Sequence, residues 1–407
     1  MAARVVIAGG GQGGYQTAAS LRAEGWDGEI VLVSDEAHLP YQRPPLSKGY
    51  LLGKQDLKHV LLRPASYYET QRIELRLGER VARLDCAGQR VALASGTEIA
   101  YDYLVLATGA RNRPLPVPGA QQSGVYYLRS LDESGELRQR LNGADEIAVV
   151  GGGFIGLEVA AAARGLGKRV TVVEAHPRLM GRVAPPLVSE YFRETHAAQG
   201  VELVLGATVA RIDGTGAAEG VVLGDGRKIP AGLVVAGIGI LPNAVLAAEA
   251  DLPLGNGIAT DEFLRTANPR IFAIGDAAEF PSTYAGARVR LESVQNAVDH
   301  AICVAKTITG HPQPYNALPW FWTDQFDIRM QMAGLGMGAD RWVVRGDPGT
   351  RKFSVFHFRG EQLLAADSIN RPADHLAARK LIAARVAVTP EQAGDENVEL
   401  KGLLPAN

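Results

Sequence analysis

The chain has 407 residues and a net charge of −2, with charges of both signs spread along it. That length suits about two to four domains, the charge gives no field for nucleic acid, and no apolar run approaches the roughly 20 residues that span a bilayer. Its two cysteines, Cys86 and Cys303, form no CxxC pair and no metal-type spacing, so they read as free thiols in a reducing compartment. The first element starts at Arg4, which leaves no room for a targeting segment, and a cytoplasmic location is expected. Residues 4 to 35 run strand, Gly-rich turn, helix, strand. "RVVIAGG" is the first strand and its turn, "YQTAASLRAEG" is a helix with Gly25 at its C-cap, and "EIVLVSD" is the second strand. Gly9, Gly11 and Gly14 have the GxGxxG spacing, which serves a tight turn, close approach of a pyrophosphate, and helix–strand packing. Asp35 follows about 20 residues beyond Gly14 and is the expected ribose partner, because Ser34 holds the more usual position of the acid.

Further along, "IELRLGERVARLD" (73–85) and "QRVALASGTEIAY" (89–101) read as antiparallel meanders. "YDYLVLATGA" is a strand that ends in a small-residue turn, and the Pro-rich "RNRPLPVPG" (111–119) is a candidate domain crossing. The first series then recurs about 140 residues on, as "EIAVVGGG", "FIGLEVAAAARGLG" and "RVTVVEA". Gly151, Gly153 and Gly156 repeat the spacing, and Glu174 follows directly on "TVV". A carboxylate there binds both ribose hydroxyls and repels a 2′-phosphate, which favours NADH over NADPH; His176 and Arg178 lie close by. "VELVLGATVARID" (201–213) and "GVVLGDGRKIP" (220–230) read as a second meander, while "AGLVVAGIGILPN" and "RIFAIGDAAEF" are strands with glycine turns. After "PWFW" comes a meander with turns at "GDPG" and "RG", then an amphipathic helix over 372–386. The predicted fold is α/β: two Rossmann-like dinucleotide-binding domains, for FAD and NAD, plus a C-terminal α+β domain.

The two turns, together with "LPYQRPPLSKGYL", "ATGA", "GIGILPN", "AIGDAA", "RLESVQNA" and "PWFWTDQF", resemble the FAD-dependent NADH:ferredoxin reductases of the putidaredoxin-reductase type. The resemblance runs nearly end to end and implies the glutathione-reductase fold. It places an FAD-binding domain at 1–112 and 243–318, an NAD-binding domain at 113–242, and the C-terminal domain at 319–407. It assigns Gly9, Gly11, Gly13, Gly14, Asp35, Arg43, Lys48, Val81, Thr108, Gly109, Arg129, Asp276, Val294 and Trp320 to FAD. It assigns Gly151, Gly153, Phe154, Ile155, Gly156, Glu158, Glu174, Arg182 and Gly239 to NADH. Lys48 and Glu158 are the catalytic candidates. Lys48 would stabilise charge on the reduced flavin; Glu158 would lie near the nicotinamide amide and pair with that lysine. Either Trp320 or Trp322 would line the flavin or the electron exit.

Disulfide reductases of this fold need a redox cysteine beside the flavin, and "RPPLSKGYLLGK" has none. The resemblance therefore implies hydride transfer from NADH to bound FAD and passage of single electrons to an acidic 2Fe–2S ferredoxin. That ferredoxin would serve a haem-thiolate monooxygenase or a ring-hydroxylating dioxygenase. Arg63 is the candidate docking residue, with Arg371, Arg379 and Lys380 as weaker ones. No metal site and no nucleic-acid or membrane partner is expected, and the family includes monomers and homodimers. The alternatives are a small-molecule flavin reductase, of the monodehydroascorbate or quinone type, and an apoptosis-inducing-factor-like protein. The latter would call for basic stretches that this sequence lacks.

Overall fold

A computed structural model describes residues 3–405. The chain divides into two compact units. One comprises Met1–Gln42, Val60–Arg111 and Pro242–Phe321; the other comprises Arg43–His59, Asn112–Leu241 and Trp322–Asn407. The Pro-rich 111–119 stretch thus begins where the chain leaves the first unit.

The first unit is built on a five-stranded parallel sheet, in the order Ile271–Ala273, Tyr103–Leu106, Arg4–Ala8, Glu29–Ser34, Ile73–Leu77. Its central strands are apolar almost throughout because both faces are covered. Val5 and Ile7 pack on one face with Leu21, Val304 and Ile308, where helix Gln12–Ala23 lies against helix Val294–Ile308. Val6 and Ala8 point to the other face and pack with Leu84, Val91 and Leu93 of an antiparallel meander. The first helix closes as expected: Gly25 takes φ +83°, and Trp26 N donates to Leu21 O.

The second unit repeats this plan. Its parallel sheet has the order Val201–Leu205, Arg169–Glu174, Glu146–Val150, Leu233–Ala236, Val125–Tyr126. The meander Val209–Asp213, Gly220–Leu223, Lys228–Pro230 covers one face, around Val150, Ile212 and Val221. The same unit holds the antiparallel strands Ile328–Gly334, Gln362–Ile369, Lys352–Arg359 and Arg341–Asp347, in that order, which carry helix Pro372–Ala383. That helix ends three residues before the predicted 386, because Arg385 turns left-handed (φ +51°) and Val386 N donates back to Leu381 O.

Two predicted elements differ. Ile73–Leu77 and Val201–Leu205 are not meander strands; each is the edge of a parallel sheet. An edge strand is covered on one face only, so its buried–exposed alternation imitates an antiparallel hairpin. Only the second half of each stretch, Val81–Asp85 and Val209–Asp213, joins an antiparallel sheet.

Candidate functional site

In the first unit the predicted residues gather at the C-terminal ends of adjacent parallel strands, where open α/β sheets bind ligands. Gly9 follows one strand, Asp35 the next, and Thr108 and Gly109 a third, while Asp276 lies just past the fourth. Gly9 has φ +126°, and a Cβ on it would come within 2.1 Å of Ala107 O. A Cβ on Gly14 would meet Gly9 O at 1.8 Å, so this glycine allows the helix to seat against the strand. Gly11 is different. Its φ of −76° suits any residue, and a Cβ there would meet nothing within 4 Å. It caps a helix that has no side-chain cap and no acid in its first turn. Free N–H groups beside an open space fit the pyrophosphate of a dinucleotide.

The surrounding turns are held in place by named bonds. Thr108 Oγ1 donates to Asn243 O at 2.7 Å, and Asn243 Nδ2 returns to Thr108 O at 2.9 Å. Asp276 sits in a short 3₁₀ turn, where Gly275 N donates to His300 Nδ1 (3.2 Å) and Arg290 donates to Asp276 O (3.1 Å). Val294 opens a helix capped by Ser293, and Trp320 N donates to Gln295 Oε1 at 3.2 Å. Val81 begins the meander and is half-buried against the core, and Gly13 packs towards Ile274. Asp35 is exposed. Arg43, Lys48 and Arg129 belong to the second unit.

The second turn has the same construction. Gly151 (φ +112°) would clash with Gly237 O, Gly156 would clash with Gly151 O at 2.1 Å, and Gly153 has open space. Glu174 Oε2 accepts from Gly152 N at 2.6 Å, and its Oε1 accepts from His176 N at 2.8 Å. Phe154 is half-buried, while Ile155 and Arg182 are exposed; Gly239 takes φ +102°. Arg178 is engaged by Ala184 O, Ser189 Oγ and Gly181 O. It organises its own loop and is not held ready for a phosphate.

Glu158 is no helix-surface residue; it is 4% exposed. Its Oε2 accepts from Lys48 Nζ at 2.6 Å and from Ser47 Oγ at 2.5 Å, and its Oε1 accepts from Thr323 Oγ1 at 2.7 Å. A buried carboxylate is tolerated where donors and a counter-ion saturate it. Pro44 and Pro45 start the 3₁₀ turn that leads to Lys48. Ser134 Oγ donates to Leu46 O and Arg43 to Arg129 O, each at 2.7 Å, which ties the loop down. Sequence reasoning missed Ser47, Thr323, Gln325 and His196. Thr323 and Gln325 stood inside "PWFWTDQF", where only the aromatic residues drew notice.

Cys303 is buried, and burial pushes its thiol up to about 11; burial also raises Cys86. Neither is a ready thiolate. Arg63 is exposed, its guanidinium 5.5 Å from the Tyr67 ring centre. Arg371 is half-buried and ion-paired to Asp374 (2.6 Å) and Glu396 (2.5 Å). Among the described residues no His/Cys/Asp/Glu group could hold a metal ion, and no helix is long and apolar enough to cross a membrane.

Residues 3–301 match the pyridine nucleotide-disulphide oxidoreductase family, and residues 320–404 match the reductase C-terminal family. The chain is 50% identical over 398 residues to rhodocoxin reductase of Rhodococcus erythropolis, covering 98% of this chain and 93% of that one. It superposes with a TM-score of 0.96 on the ferredoxin reductase for the CYP199A2 system from Rhodopseudomonas palustris, at 47% identity and with 98% and 99% of the two chains covered. The reductase in a covalent putidaredoxin reductase–putidaredoxin complex gives the same TM-score at 40% identity, with 98% of each chain covered.

Proposed function

We propose a function from the family to which this chain belongs, the pyridine nucleotide-disulphide oxidoreductases with a reductase C-terminal domain. The chain is a FAD-dependent ferredoxin reductase of the kind coupled to oxygenase systems. FAD, when bound, accepts electrons in pairs and releases them singly, which suits a nicotinamide donor and an iron–sulfur acceptor. The observation that carries the reading is the loop after Arg43. Where thiol chemistry needs a cysteine, this loop presents Lys48, paired at 2.6 Å with a buried Glu158.

In this reading the first turn holds FAD. The N–H groups after Gly11 face the pyrophosphate, Asp35 the ribose and Asp276 the ribityl chain, while Gly13, Arg43, Val81, Thr108, Gly109, Arg129, Val294 and Trp320 complete the set. The second turn receives NADH. Glu174 binds its ribose hydroxyls, with Phe154, Ile155, Arg182 and Gly239 beside the cofactor. Lys48 places positive charge for the reduced flavin, and Glu158 orients Lys48. The FAD-binding domain spans 1–112 and 243–318, the NAD-binding domain spans 113–242, and the C-terminal domain begins at 319. The acceptor is an acidic 2Fe–2S ferredoxin that docks at Arg63, whose exposed charge steers association, and the reaction takes place in the cytoplasm.

The test is cytochrome c reduction by the purified holoprotein and NADH, with and without candidate 2Fe–2S ferredoxins. A ferredoxin should raise turnover in a saturable way, and Arg63→Glu should raise its KM. Stimulation by a quinone or the ascorbate radical, but by no ferredoxin, would overturn the reading in favour of a small-molecule reductase.

A further inference from the structure

Behind Glu158 lies a row of buried polar side chains that the proposed chemistry does not use. Thr323 and Gln325 alternate along the strand Trp320–Gln325, so both point to the same side, and both are fully buried. His196, on helix Pro186–Ala198, is also fully buried. His196 Nε2 lies 2.8 Å from Gln325 Oε1, Gln325 Nε2 lies 3.2 Å from Thr323 Oγ1, and Thr323 Oγ1 lies 2.7 Å from Glu158 Oε1.

The direction of every bond in this row follows from its charged end. An ionised carboxylate only accepts, so the Thr323 hydroxyl donates to Glu158. With its proton committed, Thr323 Oγ1 must accept from the Gln325 amide nitrogen. The Gln325 oxygen is then free to accept, and His196 must carry its proton on Nε2. In that tautomer His196 Nδ1 is a lone-pair acceptor, and it is buried without a hydrogen-bond partner. Burial lowers the pKa of His196, so the ring is neutral, with the bond to Gln325 opposing the shift.

We propose that Thr323, Gln325 and His196 are positioning residues: a one-way donor chain that fixes the Glu158 carboxylate so that its other oxygen holds Lys48. The chain connects the NAD-binding helices and the loop lysine to the C-terminal sheet. It also assigns that sheet a part in setting the site. The proposal rests on the reading of Lys48 and Glu158 given above.

Thr323→Val removes the donor at nearly constant volume, and Thr323→Ser keeps it. Lys48 acetylation by limiting acetic anhydride is measured by mass spectrometry, with exposed Lys54 of the same loop as internal reference. Stopped-flow reduction of the bound flavin by NADH is measured in parallel, with Glu158→Gln as a control. In Thr323→Val the Lys48:Lys54 labelling ratio should rise severalfold, and the limiting reduction rate should fall about tenfold or more, the scale of one lost bond to a charged group. The apparent NADH affinity should change less than the rate, and Thr323→Ser should restore both readouts. Gln325→Leu should shift them the same way by less. If Glu158→Gln slows reduction while Thr323→Val matches the wild type in both readouts, the donor chain is overturned and the site reading stands. If Glu158→Gln and Lys48→Ala both leave reduction unchanged, the site reading itself falls.

Discussion

The two glycine turns share one backbone and differ in the side chain that ends the second strand. In both, the first glycine has a strongly positive φ, the third has backbone where its Cβ would be, and the middle one faces open space. The strand registers match as well: Ala8 pairs with Val33 as Val150 pairs with Val173. The next residue of the second strand is Ser34 in one unit and Glu174 in the other. Both side chains accept from the N–H two residues on, Glu36 N for Ser34 and His176 N for Glu174. Only the glutamate has a second oxygen, which accepts from Gly152 N. In the first unit the nearest carboxylate is Asp35, one residue further on and exposed. The turn is therefore a fixed cradle with a variable rim: backbone contacts set the first and third glycines, and the side chain that ends the second strand differs.

The strongest way to break that comparison is to separate the glycine roles. Gly14→Val and Gly156→Val put atoms where Gly9 O and Gly151 O already lie. Each should cost about 4 kcal/mol or more and leave little soluble, folded protein. Gly11→Val and Gly153→Val should leave the thermal midpoint of the apoprotein nearly unchanged. The first should abolish retention of FAD on desalting, and the second should raise the Kd for NADH. Loss of folding in either would show that the middle glycine serves packing after all.

Acid distinguishes the units next. His300, walled by Phe280 and Tyr315 and accepting from Gly275 N, is pushed down to about 3 by burial. The unfolded chain takes up a proton near pH 6.5, whereas the folded one does so only near 3. Stability from this group is thus complete above pH 6.5 and is lost as pH falls, roughly 2–3 kcal/mol over the first two units. In the second unit His375, brought down to about 4 by burial and then by Arg379 and Arg329, acts in the same direction with a narrower window. His300→Gln and His375→Gln should flatten the fall of the thermal midpoint between pH 7 and 4.5 to a similar degree, and below about pH 4 only His300→Gln should flatten it further. Equal slopes in wild type and both variants would contradict the burial of these rings.

The smallest effect tests the rim. Glu174→Ala should lower the NADH:NADPH ratio of kcat/KM about ten- to fiftyfold, the scale of bonds to one charged group. Asp35→Ala should leave that ratio unchanged, because it belongs to the other cradle. A wild type that prefers NADPH would remove the assignment of Glu174.

The sequence alone determined the two cradles, the absence of a loop cysteine, and the order of strands and helices around each turn. These depend on near neighbours: whether a residue has a Cβ, where apolar positions recur, and which acid ends a strand. It misread Ile73–Leu77 and Val201–Leu205, because a half-covered parallel edge has the same period as a hairpin strand. It also could not tell that Glu158, in a helix of small apolar residues, would be buried. The donors to that carboxylate lie more than 100 residues away in the chain, at Ser47, Lys48 and Thr323. A buried charge is stable only where packing brings its partners together, and no local pattern records partners so distant. The tertiary structure decided which glutamate is the saturated one and what stands behind it.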